Sequence, residues 1–311
     1  MSYMRITTKL LNDNVINSLF TNRSKLNDLQ EQLSTGKKVS KPSDDPNASI
    51  NILSAKLSLD QVERYTTNIE NALSELDIAD ESILSTVDVV QRAKELAVQA
   101  SNATNGATEF SAIKSEIDQL IEQVKDAANT KFGSKYIFGG VITEIPPYSE
   151  DADGNITYNG TPSTSNYQRK TEISENITVD TNVTGDSIFG QYVEGDTTKQ
   201  TGLIGTLKNL SNDLGSSPPD YDGIKASLDD LDSDLTTLLN AQANMGGTMS
   251  RLEMTKTKME NDEITYTKFR SEAEDIDLAK TISDISYQET ALQVSLKVGA
   301  KAIQSSIFDY M

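Results

Sequence analysis

The sequence predicts a mainly α-helical fold carrying a β-rich insert, with a long antiparallel helical bundle or coiled coil formed by the two chain ends. Three observations predict it. Apolar residues recur at spacings of three and four near both termini, a long stretch free of helix breakers follows the first of these seams, and a Gly-, Thr- and Asn-rich middle interrupts the helical texture.

The N-terminal seam is Val15, Leu19, Leu26, Leu29 and Leu33, broken at Asn22. Gly36 suits a left-handed cap, and Pro42 and Pro46 prevent a helix from running through KPSDDP, so a bent connector is expected there. Beyond it Val62, Tyr65, Ile69, Leu73, Leu76, Ile83, Val87 and Val90 fall on one face, which predicts a very long helix over about 47–100. A break near Asn105 and Gly106 and the stripe Phe110, Ile113, Ile117, Leu120 and Val124 predict a second helix that forms a hairpin with the first.

From Gly133 to about Gly202 short runs such as NITYNG and ENITVDTNV favour strands and turns, and Asp153-Gly154-Asn155 suits a hairpin turn. Helical spacing resumes at Leu207, Leu210 and Leu214. After Pro218 and Pro219 it continues through Ile224, Leu228, Leu231, Leu235 and Leu238 into a final helical stretch over 245–311. There the C-terminal seam is Leu278, Ile282, Ile285, Leu292, Leu296 and Ile303, with Glu289 and Gly299 in its gaps. The expected organisation is a discontinuous helical rod of residues 1–132 and 205–311, with terminal helices of about 6–34 and 277–306, around an insert of residues 133–204.

Composition narrows the chemistry. Lys and Arg number 28 against 47 Asp and Glu, for a net charge of -19, which sets nucleic-acid binding aside because phosphates would be repelled. The chain has no Cys, which removes thiol nucleophiles, thiolate metal sites and disulfides, and no His, which removes the usual general base and commonest metal ligand. No apolar run approaches the roughly 20 residues that span a bilayer, and MSYMRITTKLLNDNVINSLF lacks the pattern of a cleavable secretory signal, so membrane insertion is not expected.

The remaining motifs favour ordinary structural roles. In DADGN the Gly comes too early for an EF-hand and no bidentate Glu follows at the twelfth position. Glu272, Glu274, Asp275 and Asp277 read as a solvated helix face, and the glycines of KFGSKYIFGG match neither a dinucleotide fingerprint nor a P-loop but mark turns. No catalytic residue, metal ligand or cofactor site is assigned. An apolar stripe usually packs a protein's own core. These seams lie at the extreme ends and are narrow and interrupted, so packing against other subunits is the favoured reading.

QEQLSTGKKVSKPSDDP over Gln30 to Pro46 closely resembles the segment shared by bacterial flagellins and hook-filament junction proteins. The resemblance continues in ANTKFGSKYIFGG over 128–140 and in DIDLAKTISDISYQETALQVSLKVGAKAIQSSIFDYM from Asp275 onward. The MRITT start, PSDDP and SIFDYM favour the junction type over flagellin.

The resemblance implies a flagellin-like, non-enzymatic structural subunit that leaves the cell through the flagellar type III export system. It implies self-assembly into a ring or tube, with the neighbouring hook-associated protein, flagellin and a cytosolic export chaperone as partners. The assembly interface would comprise Val15, Leu19, Leu26, Leu29, Leu33, Leu278, Ile282, Ile285, Leu292, Leu296 and Ile303. The chaperone would hold Leu292, Leu296, Ile303 and Ile307. Flagellin itself is the nearest alternative, and a cytoplasmic coiled-coil scaffold is the alternative from another class.

Overall fold

A computed structural model describes residues 8–102, 106–165, 169–181 and 183–308. Among the described residues there are seven α-helices: α1 Thr8–Thr35, α2 Pro46–Ala100, α3 Ala107–Ala128, α4 Gly185–Ile188, α5 Gly202–Gly215, α6 Tyr221–Glu274 and α7 Leu278–Phe308. The described residues between α3 and α4 hold six short strands: β1 Lys131–Phe132, β2 Lys135–Tyr136, β3 Tyr148–Glu150, β4 Ile156–Tyr158, β5 Lys170–Ser174 and β6 Ile177–Asp180. They pair as three separate antiparallel hairpins.

The chain forms two compact units, residues 1–61 with 261–311 and residues 62–260. The division falls inside α2 and α6, away from the boundaries near 132 and 205 expected from composition. The β-rich segment lies within the second of these units.

In the second unit α2 buries a regular heptad face. Val62, Tyr65, Ile69, Ala72, Leu76, Ala79, Ile83, Thr86, Val90, Ala93, Ala97 and Ala100 are all buried. Leu73, expected on this face, is half-buried, and Ala72 takes the inner position because the face tracks a 3.5-residue repeat rather than side-chain size. The α6 residues Ile224, Leu231, Leu238, Met245, Leu252 and Met259 are buried at seven-residue intervals. Ion pairs from Lys94 to Asp232 and from Lys256 Nζ to Glu70 Oε1 at 2.8 Å set these parts of α2 and α6 antiparallel. The α3 stripe of Phe110, Ile113, Ile117, Leu120 and Val124 is buried, and α3 packs against α5.

The insert closes on aromatic rings. Phe138 and Phe189 meet edge-to-face at 5.0 Å between centroids, and Tyr148 lies 5.3 Å from Tyr158. The Asp151–Asn155 loop joins β3 to β4 as expected, with Gly154 at φ +80°. Its Asp151 carboxylate accepts hydrogen bonds from the Asp153 and Asn155 amides at 2.9 and 3.0 Å, so this acid organises its own turn.

Candidate functional site

The first unit is built around the pair α1 and α7. The helix α1 stops where Gly36 adopts φ +72°, its N–H donating to Gln32 O at 2.8 Å. The next residues form a short antiparallel clasp with the end of α6. Lys38 N donates to Glu274 O at 2.7 Å, and Ile276 N donates to Gly36 O at 3.1 Å.

The KPSDDP segment divides its labour. Asp44 Oδ2 accepts from the amides of Ser40 and Lys41 at 3.1 and 2.9 Å, closing the turn, and these bonds, the Lys41 amide foremost, hold the Asp44 carboxyl below its ordinary pKa. Asp45 Oδ1 accepts from the amides of Asn47 and Ala48, both at 3.0 Å, so it caps α2, and Pro46 takes the first helical position, where no N–H is required.

Across the clasp Lys37 Nζ reaches Glu274 Oε1 at 2.5 Å, and Lys56 Nζ lies 3.5 Å from the same oxygen. Glu274 is buried, yet its carboxyl stays below the ordinary range. The Lys37 hydrogen bond and the charge of Lys56 outweigh the cost of burial. At the far side Asp277 Oδ1 accepts from Lys280 N at 3.1 Å and starts α7, which places a break between α6 and α7 inside the helical stretch expected over 245–311.

The two helices run antiparallel, with Asn22 beside Gln288 and Ser295, and Val15 beside Gly299. On α1 the half-buried positions are Val15, Leu19, Asn22, Leu26, Leu29 and Gln32; on α7 the shielded positions include Thr281, Ile285, Gln288, Leu292, Ser295 and Gly299. Both sets step by three and four. In the middle of the seam Gln288 Nε2 donates to the backbone O and to Oδ1 of Asn22, both at 3.1 Å, and Asn22 Nδ2 donates to Ser295 Oγ at 3.1 Å.

The structure divides the predicted seams. Val15, Leu19, Leu26 and Leu29 of α1 and Ile285 and Leu292 of α7 are half-buried. Leu278, Ile282 and Leu296 are instead more than half exposed, and Leu33 is 36% exposed. The reason is that α7 faces α1 with small and polar residues, so the larger apolar side chains stand on the neighbouring face. Ile303 and Ile307 lie on the last turns of α7, where side chains fall outside the described residues.

Apolar periodicity missed the inward-facing Asn22, Gln288, Ser295 and Gly299. It also missed an outward set, Ile16 and Phe20 on α1 with Val294 and Val298 on α7, which leaves the pair with uncovered apolar surface. Such a surface can be desolvated by further helices; it offers no nucleophile matched to a base. Among the described residues no group of three or more His, Cys, Asp or Glu is placed to hold a metal ion, and no helix is long and apolar enough to cross a membrane.

Comparison with known proteins agrees with this architecture. Residues 6–143 match the bacterial flagellin N-terminal helical region and residues 228–311 match the bacterial flagellin C-terminal helical region, so each match includes one helix of the α1/α7 pair. Flagellar hook-associated protein 3 of Escherichia coli is 28% identical over 94% of this chain and 95% of its own length. The protein of the same name from Salmonella typhimurium is 25% identical over 98% of this chain and 99% of its own. Among solved structures, the flagellar junction protein FlgL from Legionella pneumophila superposes with a TM-score of 0.57 at 18% identity, covering 72% of this chain and all of its own, which is a likeness of fold. With both helical regions matched in order at the two ends of the sequence, this chain belongs to the bacterial flagellin family.

Proposed function

We propose that this chain is a structural subunit of the bacterial flagellum that joins hook to filament, an adaptor on which flagellin polymerises. The observation that carries this reading is the end-to-end likeness to two proteins named flagellar hook-associated protein 3, covering 94% and 98% of the chain. The exposed apolar faces of α1 and α7 fit a subunit completed by its neighbours, with desolvation supplying about 25 cal/mol per Å² of apolar surface covered.

In this reading the chain is exported by the flagellar type III system and resides at the hook-filament junction. It self-assembles into a ring or tube and contacts the neighbouring hook-associated protein on one side and flagellin on the other. Before export, a cytosolic chaperone holds the C-terminal helix at Leu292, Leu296, Ile303 and Ile307 as a helix in a groove. Val15, Leu19, Leu26, Leu29, Ile285 and Leu292 close the pair inside one subunit. Leu33, Leu278, Ile282 and Leu296 serve contacts between subunits, and Ile303 belongs to the same interface. No catalytic step is assigned.

Flagellin is the second reading, favoured by the descriptions of the two matching family regions. Immunogold labelling of intact flagella separates the two. Label confined to the junction supports the adaptor, and label along the whole filament makes this chain the filament protein.

A further inference from the structure

Among the described side chains of α7, two large apolar residues are shielded, Ile285 and Leu292, and they are seven residues apart. A one-heptad slide would put one in the place of the other, with Leu278 or Gly299 taking the vacated place, so the alignments differ by at most one large apolar side chain on α7. Hydrophobic burial alone therefore discriminates between them only weakly.

Two other features can choose it. A Cβ built on Gly299 would lie 2.9 Å from Val15 Cγ1. Sliding α7 so that Leu292 meets Val15 would drive a leucine against Val15, where even a Cβ is already crowded. Sliding it the other way would put Ser295 and Ala302 in the places of Gln288 and Ser295. Asn22 would then lose the amide that now donates to both its backbone and side-chain oxygens at 3.1 Å. A half-buried amide stripped of its partner carries a desolvation cost that the native alignment avoids.

We propose that Asn22, Gln288 and Ser295 form a register lock for the α1/α7 pair, with Gly299 blocking the opposite slide. A polar residue inside an apolar helical seam is the best-attested device for fixing alignment, and it lowers stability in exchange for uniqueness. The lock thereby sets how the outward apolar side chains of the two helices, Phe20 and Leu296 among them, line up along the pair. That last consequence rests on the assembly role proposed above; the lock itself does not.

The chain contains no Cys, so introduced pairs can be trapped as disulfides without background. Ser18 and Val298 line one cavity of about 280 Å³ between the helices, so Ser18→Cys with Val298→Cys reports the native alignment. Lys25→Cys with Val298→Cys, one heptad along α1, reports the slipped one. In the otherwise native full-length chain the first pair should trap and the second should not. In Asn22→Leu/Gln288→Leu the ratio of native to slipped trapping should fall by about tenfold, and Asn22→Asp/Gln288→Lys should restore it through an ion pair.

An unchanged ratio in the double-leucine variant would overturn the proposal. Circular dichroism on the same samples gives a second readout. Leucines at these positions should raise the thermal stability of the pair, so loss of helix would equally contradict it. None of these readouts depends on assembly, so a failed flagellar assignment and a failed register lock are distinguishable.

Discussion

Lys37 Nζ and Glu274 Oε1 meet at 2.5 Å although 236 residues separate them in sequence, joining the connector after α1 to the last residue of α6. Because the folded Glu274 carboxyl is held below its ordinary value of 4.5, its contribution is complete above that value and is lost as pH falls through the lowered one. Glu274→Gln should cost about 1 kcal/mol at neutral pH, since both lysines can turn to solvent, and should flatten the acid limb. Denaturant titrations of both proteins at pH 7 and pH 3 check this.

Asp234 has the opposite sign. One of its oxygens is buried with no hydrogen-bond partner among the described residues. Burial, aided by the nearby Asp230 and opposed by Thr206, pushes its carboxyl up to about 6. A raised carboxyl favours the folded state as it takes up its proton. Stability of the second unit should therefore rise as pH falls from 7 through 6 and level off below the unfolded value near 4. Asp234→Asn should gain about 1–2 kcal/mol at pH 7 and lose that slope. Equilibrium unfolding at pH 7 and pH 5 measures both, and a slope surviving the substitution would locate it elsewhere.

The helix pair should be the least protected part of the isolated subunit. Its seam is at best half-buried at Val15, Leu19, Leu26 and Leu29, whereas Ile69, Ile83 and Val90 of the second unit are fully buried. In amide hydrogen exchange, residues 278–300 should exchange faster than residues 62–100, with a difference of about tenfold or more. Equal protection would mean that the pair is stable without neighbours.

Much of this fold is legible in the sequence because long heptad faces announce themselves. The buried stripe of α3, the capped turn at KPSDDP and the glycine-bearing β3–β4 turn are all readable from residue type and spacing. What periodicity does not reveal is which face of a narrow helix meets its partner when that face is small and polar. Ile282 and Leu296 each lie one position beyond an inward-facing residue, Thr281 and Ser295. Thr281, Gln288, Ser295 and Gly299, which face inward, carry no hydrophobic signal. The interruptions at Asn22 and Gly299 were the visible trace of that face.

Outward-facing apolar residues should matter for assembly and not for folding. Phe20→Asp, at a side chain 69% exposed, should change the stability of the isolated chain by no more than about 0.5 kcal/mol, while abolishing incorporation into flagella. Leu292→Asp with Leu296→Asp should weaken both chaperone binding and incorporation, because both use the same helix, Leu292 from its α1-facing side and Leu296 from its outward side. Pull-down with the export chaperone and electron microscopy of complemented cells read the two effects, and normal incorporation of either variant would remove these residues from the interface.

Seeding of the filament on the hook is the role proposed for this chain. Deleting its gene, imaging the cells by electron microscopy and assaying flagellin in the medium tests it most directly. The deletion strain should carry hooks without filaments and lose unpolymerised flagellin to the medium, and the intact gene should restore filaments. Filaments of normal length on the deletion strain would contradict it, and bare hooks with no flagellin in the medium would assign the chain to the filament instead.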